Sequence, residues 1–102
     1  MEGLRNIFFL FYCIMMHKYM VEFLGTLFLM FVILATGNWM AIGAALGLAV
    51  LLGGAISQGC FNPSVTLALM YMGKLSRADA VPYIVAQSAG ALLAVELVKR
   101  MK

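Results

Sequence analysis

Runs of apolar residues separated by short polar breaks dominate the chain. One run extends from Tyr19 to Thr36 and is interrupted only by Glu22, a second covers about 39–57, and a third covers about 80–98. Between the first two runs, Gly37-Asn38 is a turn signal. Because about 20 apolar helical residues cross the hydrocarbon core of a bilayer, the pattern predicts three transmembrane helices.

The first 18 residues do not fit this pattern. Residues 7–16, IFFLFYCIMM, are apolar but too few to cross a bilayer. No small-residue cleavage site follows them, so a secretory signal is not expected. Two interpretations stay open: an interfacial helix, or translation that begins at Met16 or Met20. We therefore divide the chain into an N-terminal segment, 1–18, without an assigned role and a membrane segment, 19–102.

Composition is typical of an integral membrane protein. Apolar residues make up 65% of the chain and charged residues 11%, whereas soluble domains are nearer to half apolar and a quarter charged. The net charge of +3 is small and scattered, so no nucleic-acid partner is expected. Two cysteines and one histidine provide neither a disulfide framework nor a metal site. We expect a protein of the lipid bilayer that is not an enzyme, with no catalytic residues, no metal and no cofactor.

Small residues recur at four-residue spacing in two of the predicted spans. Gly43 and Gly47 form a G-x-x-x-G pair in the second span, and Ala86, Gly90 and Ala94 repeat the spacing in the third. Such stripes let helix backbones approach closely in lipid. We expect them to pack helices within one bundle. A dimer face is the alternative, because the spacing does not identify the partner helix.

A short apolar helix is predicted between the second and third spans. Within residues 57–74, SQGCFNPSVTLALMYMGK, Asn62 is a favoured N-cap residue and Pro63 suits the first helical position. Gly73 supplies a stop, so we predict a helix over about 63–72. At 1.5 Å per residue it is about 15 Å long, half the thickness of a bilayer core. That length predicts a re-entrant half-helix; the alternative is an ordinary loop with a capped surface helix.

The start of this half-helix predicts a pore element. A helix N-terminus at the membrane midplane leaves unpaired N–H groups and about half a positive charge there. Irregular backbone is tolerated at that depth only when protein buries it or when it lines a watery cavity. We therefore expect the region around Asn62 to offer donors to neutral solutes and to repel cations.

Three stretches of the chain resemble one family. EFLGTLFLMF (22–31), AIGAALGLAVLLGGAISQGCFNPSVTLAL (41–69) and YIVAQSAGALLA (83–94) are similar to the first, second and third helices and the signature loop of the aquaporin and aquaglyceroporin channels, the major intrinsic proteins. The resemblance implies an all-α membrane protein with three transmembrane helices and one re-entrant half-helix, half of an aquaporin-like fold. It also implies passive transport of water or small neutral solutes such as glycerol.

The resemblance also implies which residues line the pore. Ser64 stands where the family usually has Ala. Ile42 falls at a filter position where strict water channels have an aromatic residue, so we expect a looser or less polar constriction. Val65 holds the place equivalent to that of the filter arginine after the family's second Asn-Pro-Ala. The implied pore-lining residues are Asn62, Pro63, Ser64, Ile42, Cys60, Phe61 and Val65.

A second implied group braces the loop that presents Asn62. It consists of Glu22, Thr26 and Gln87. The alternative for Glu22 is an interfacial pair with Lys18. For Cys60 we expect a thiol that faces the vestibule; the alternative is a thiol buried against Glu22 or Gln87.

Family members carry two inverted repeats, and this sequence matches the first. One half-helix reaches only the midplane, so we expect a second, inverted copy or a companion half-channel to complete a pore. Lysine and arginine near the span ends number four on one side and three on the other, which predicts insertion in both orientations. The alternatives are a non-conducting membrane protein that assembles with or regulates another channel, and a truncated product.

Overall fold

The computed structural model describes residues 2–101 and, within them, all side chains except those of residues 11–16. The chain folds into four helices: α1 (Glu2–Thr36), α2 (Trp39–Ser57), α3 (Pro63–Tyr71) and α4 (Arg77–Met101). Over the described range there is no strand. Three stretches, His17–Thr36 within α1, all of α2 and all of α4, are long and apolar enough to cross a membrane. The prediction of an all-α membrane protein is confirmed.

Residues 2–18 and the first span lie in one helix. The stretch that is long and apolar enough to cross a membrane begins at His17, close to the predicted division at residue 18, whereas α1 itself runs from Glu2 to Thr36 without a break. The physical reason is that no glycine or proline occurs between Gly3 and Gly25, so the change in polarity at residues 17 and 18 does not interrupt the helix. The side chain of Cys13 lies outside the described residues.

The first helix is the centre of the fold. It packs against both α2 and α4, and α3 packs against α4. The backbones of α1 and α4 approach closely at Gly90, which has no Cβ atom. A Cβ there would overlap the carbonyl oxygen of Phe23 and lie 3.2 Å from the amide nitrogen of Leu27. Gly90 and Ala94, two of the small residues predicted to pack α4, are both buried.

The small residues of α2 behave differently from the prediction. Nothing lies within 4 Å of a Cβ built on Gly43 or Gly47, so the expectation that this pair packs helices within the bundle is wrong. The buried residues of α2 are instead Ala45, Ala49, Gly53 and Ser57. They are displaced by two positions, or about 200° around the helix, which places Gly43 and Gly47 on the opposite face.

An ion pair joins the start of α4 to α1. Lys18 Nζ lies 2.8 Å from Asp79 Oδ2, and the Tyr19 hydroxyl donates a hydrogen bond of 2.6 Å to Asp79 Oδ1. The Tyr19 and Tyr83 rings pack edge to face beside it. Lys18 therefore pairs with Asp79, and the alternative in which it pairs with Glu22 is wrong.

Candidate functional site

The segment between α2 and α4 begins and ends at the same height along the helix bundle. Gln58, directly after α2, donates from Nε2 to the carbonyl oxygen of Lys74, which follows α3, at 2.7 Å. Between these ends the chain folds back along α2. This is shown by the close approach of Gly59 to α2, where a Cβ on Gly59 would lie 3.4 Å from the Cα of Val50. Val50 is near the middle of α2. The loop before α3 therefore lies level with the middle of a membrane-spanning helix.

Left-handed backbone conformations make this reversal. Gln58, Gly59 and Phe61 have φ angles of 73°, 63° and 52°. Such angles turn the chain sharply and are uncommon for residues with a side chain. Their persistence at two residues other than glycine implies that surrounding contacts hold the loop in place.

Asn62 caps α3 with its side chain. Its Oδ1 accepts a hydrogen bond of 2.7 Å from the amide nitrogen of Ser64, and Pro63 occupies the first turn. Because the cap uses the oxygen, the Nδ2 group is left as a free donor with no partner among the described residues. Asn62, Ser64 and Val65 are all exposed in the single chain, so this donor is on an open surface.

Glu22 holds the loop from the side of α1. Its side chain is completely buried. Oε1 accepts hydrogen bonds from the Phe61 amide and from Gln87 Nε2, both at 2.8 Å. Oε2 accepts from the Ser57 hydroxyl at 2.6 Å and the Cys60 amide at 3.1 Å. Four donors satisfy this carboxylate, and two of them are backbone groups of the loop that leads to Asn62.

Gln87 connects three helices at one point. Besides its bond to Glu22, Nε2 donates to the Thr66 hydroxyl at 2.8 Å. The Thr66 hydroxyl in turn donates to the carbonyl oxygen of Asn62 at 2.9 Å. The chain of hydrogen bonds therefore runs from α1 through α4 to the first turn of α3.

Three members of this network were not predicted from the sequence. Thr66 and Ser57 are buried hydroxyl residues, and the Tyr83 hydroxyl donates to the carbonyl oxygen of Ser57 at 2.8 Å. One signal was available for Thr66, since it lies four residues after Asn62 and a threonine hydroxyl in a helix can bond the carbonyl oxygen one turn back. The other two residues gave no local signal.

Thr26 does not bond the loop. It is buried on the same face of α1 as Glu22, but its hydroxyl has no hydrogen-bond partner among the described residues. The implied role of Thr26 as a direct brace is therefore wrong. The reason is geometric, because Glu22 already accepts from the Cys60 and Phe61 amides one helical turn away.

Cys60 and Phe61 point into the protein. Both residues are 3% exposed. Cys60 packs with Leu75 and Tyr83, and the Phe61 ring fills the space that a side chain at Gly25 would need. The expectation that the Cys60 thiol faces a vestibule is wrong, because the bonds from the two amides to Glu22 hold the loop with its side chains directed inward. A thiol buried in this way is inert toward bulky reagents.

The remaining implied pore residues fall at two levels. Asn62, Pro63, Ser64 and Val65 lie together at the start of α3. Ile42 is in the first turn of α2, where its amide bonds the carbonyl oxygen of Asn38. It precedes Val50 by eight residues, which corresponds to about 12 Å along the helix axis. Ile42 is therefore separated from the level at which Gly59 lies against Val50.

The loop offers acceptors beside the donor of Asn62. The carbonyl oxygens of Gly59, Cys60 and Phe61 accept no hydrogen bond from the described residues. In the single chain the Asn62 donor is exposed, Gly59 is half-buried, and Cys60 and Phe61 are buried. Water and hydroxyl compounds can use such a donor and such acceptors together, because each of their O–H groups donates and its oxygen accepts.

The sequence matches one protein family and several curated proteins. Residues 36–102 match the family model described as Major intrinsic protein. The chain is 45% identical over 93 residues to "Glycerol uptake facilitator protein-like 6" of Lactiplantibacillus plantarum, covering 82% of this chain and 43% of that protein. It is 39% identical over 95 residues to "Aquaporin Z" of Brucella melitensis, covering 78% of this chain and 42% of that protein.

A third relative, "Glycerol uptake facilitator protein" of Streptococcus pneumoniae, is 37% identical over 98 residues, covering 78% of this chain and 41% of that protein. The chain thus spans roughly two fifths of the length of the curated relatives it matches. No solved structure matches it significantly. With a family match over more than half of its residues, the chain belongs to the major intrinsic proteins, integral multi-pass membrane proteins that are passive channels rather than enzymes.

Proposed function

We propose that this chain forms one half of a channel through which water or small neutral solutes such as glycerol pass passively. The observation that carries the proposal is the loop at Asn62, which presents a free amide donor beside unbonded carbonyl oxygens. A solute that gives up its water partners there finds both kinds of hydrogen bond again. The names of the relatives, an aquaporin and two glycerol uptake facilitators, support the same solutes.

The start of α3 favours neutral solutes over cations. A helix N-terminus carries about half a positive charge, and the nearby Glu22 carboxylate is buried behind the loop with four donors. Val65 adds no charge to this half. Cation exclusion in this half therefore depends on the α3 dipole.

The length of α3 requires a second half. Its nine residues span about 14 Å, whereas the bilayer core is about 30 Å thick. We infer that an inverted half, either a second copy of this chain or a companion half-channel, supplies the other short helix. The exposure of Asn62, Ser64 and Val65 in the single chain supports a partner at this face.

Replacing Asn62 by aspartate tests the role of this residue. Aspartate is as good an N-cap as asparagine, so α3 should persist while the donor is replaced by a negative charge. We expect neutral-solute permeability to fall about tenfold, which corresponds to about 1.4 kcal/mol in the barrier, and a cation leak to appear. Osmotic shrinkage of liposomes and potassium release measure the two effects.

Ser64→Ala is the matched control, because it changes the next exposed position of the same turn without adding charge. It should leave permeability close to that of the unmodified chain. Unaltered permeability in Asn62→Asp would remove Asn62 from the constriction. Liposomes of the unmodified chain that shrink no faster than empty ones would favour the non-conducting alternative.

The pairing of two copies makes a separate prediction about orientation. A pore made of inverted copies needs both orientations in one membrane, and the four-to-three distribution of basic residues favours this outcome. Reporters fused to the C-terminus should therefore be active on both sides of the membrane. If every molecule had the same orientation, pairing with itself would be ruled out and a companion half-channel would be required.

A further inference from the structure

A cavity lies beside the Asn62 loop, between α1 and α4. Its volume is about 250 Å³, and Asn62 and Pro63 form one wall of it. Thr26 and Gln87 line the cavity from α1 and α4, and Leu29 and Ile33 of α1 make its apolar wall. The cavity is therefore polar next to the loop, and the rest of its lining is apolar except for Ser88.

Two buried polar atoms at this cavity have no partner. They are Thr26 Oγ1 and Gln87 Oε1, and among the described residues no other buried side-chain nitrogen or oxygen lacks a hydrogen bond. Thr26 and Gln87 are 6% and 1% exposed as whole residues. Burial of a polar group without a partner is unfavourable, so the coincidence of both atoms at one cavity requires a physical explanation.

The chemistry of the two atoms is complementary. Gln87 Nε2 donates to Glu22 and to Thr66, and both of its hydrogens are thereby used. The orientation of the amide is fixed, so Oε1 needs a donor. The Thr26 hydroxyl has a hydrogen to donate, but the two oxygens do not bond each other directly. A small molecule that accepts one hydrogen bond and donates another would satisfy both.

We propose that a buried water molecule occupies the polar end of this cavity, accepts a hydrogen bond from the Thr26 hydroxyl and donates one to Gln87 Oε1. A buried water needs about 10–15 Å³ of accessible space and two to four polar partners, and the cavity provides both. The water joins α1 to α4 and completes the hydrogen bonds of the amide that holds Glu22 and Thr66. Thr26 is thus a positioning residue that acts on the loop through water and Gln87.

This site does not depend on conduction, so its test uses no flux measurement. The full chain, labelled with ¹⁵N at glutamine and reconstituted in lipid nanodiscs, is studied by NMR with transfer of magnetisation from water to side-chain amides. In the unmodified chain we expect transfer to the Gln87 amide. Thr26→Val keeps the shape but removes the donor, so the transfer should be lost and the Gln87 amide resonance should shift.

Two variants sharpen the result. Thr26→Ser restores the hydroxyl and should restore the transfer. Ser88→Ala removes a different hydroxyl at the same cavity, from an exposed residue, and should leave the Gln87 signal unchanged. Absence of transfer in the folded, unmodified chain would overturn the proposal, as would contacts from a second polypeptide in place of water. Transfer that survives Thr26→Val would overturn the role of Thr26.

Discussion

Truncation of Glu22 to alanine is expected to lower the free energy of unfolding by about 3–5 kcal/mol, because it leaves buried donors without an acceptor. The carboxylate accepts from Ser57, Cys60, Phe61 and Gln87. Each abandoned donor is costly on its own, but the four costs do not add because the groups share one network. Loss of the brace should also release the loop that presents Asn62.

Glu22→Gln refines this prediction. It preserves the shape of the side chain but turns one acceptor into a donor, which then faces a backbone or side-chain N–H or O–H group. We expect a loss of stability smaller than that of Glu22→Ala but still clear. Unfolding followed by circular dichroism in detergent micelles measures both variants.

Glu96→Ala is the control for the Glu22 series. Glu96 is exposed and lies 3.9 Å from Lys99, a surface pair whose contribution is about 0–1 kcal/mol. The free energy of unfolding of Glu96→Ala should therefore lie within that margin of the value for the unmodified chain. Equal stability of Glu22→Ala and Glu96→Ala would contradict the bracing role of Glu22.

Gly90→Ala is expected to destabilise the bundle by about 1–3 kcal/mol. A methyl group there overlaps the backbone of Phe23 and approaches that of Leu27. Backbone atoms cannot rotate away as a side chain does, so α1 and α4 must separate. Gln87 lies one turn before Gly90 on α4, and the separation should therefore lengthen its bond to Glu22.

Gly47→Ala is the matched control, since it makes the same substitution at a transmembrane glycine with nothing within 4 Å. Alanine is the better helix former by up to about 1 kcal/mol, so this variant should be as stable as the unmodified chain or more stable. Thermal unfolding of both variants in the same detergent compares them. If Gly90→Ala proved as stable as Gly47→Ala, the close crossing of α1 and α4 would be disproved.

The class of the protein and the positions of most of its helices follow from local patterns in the sequence. Length and hydropathy are sufficient to predict a membrane-spanning helix, because each such segment must bond its own backbone in lipid. Local signals also predicted the short helix α3. The Asn62 cap and Pro63 define its first turn, and Gly73 follows its last turn. The first span was also predicted, over 19–36 against His17–Thr36. The start of the helix that carries it was not, because polarity changes at residue 18 without any helix-breaking residue.

Packing between the helices selects which faces and atoms meet. A spacing of four identifies residues that share a face of a helix. In α2, however, the pair Ala45 and Ala49 and the pair Gly43 and Gly47 both have this spacing and lie on opposite faces. Only packing against α1 buries the alanine face. In the same way, Cys60 is buried because its amide bonds a glutamate 38 residues earlier in the chain. Thr26 has no hydrogen-bond partner among the described side chains and backbone groups, because that glutamate lies one turn closer to the loop. Such outcomes depend on the relative placement of helices that are distant in sequence, which no local pattern encodes.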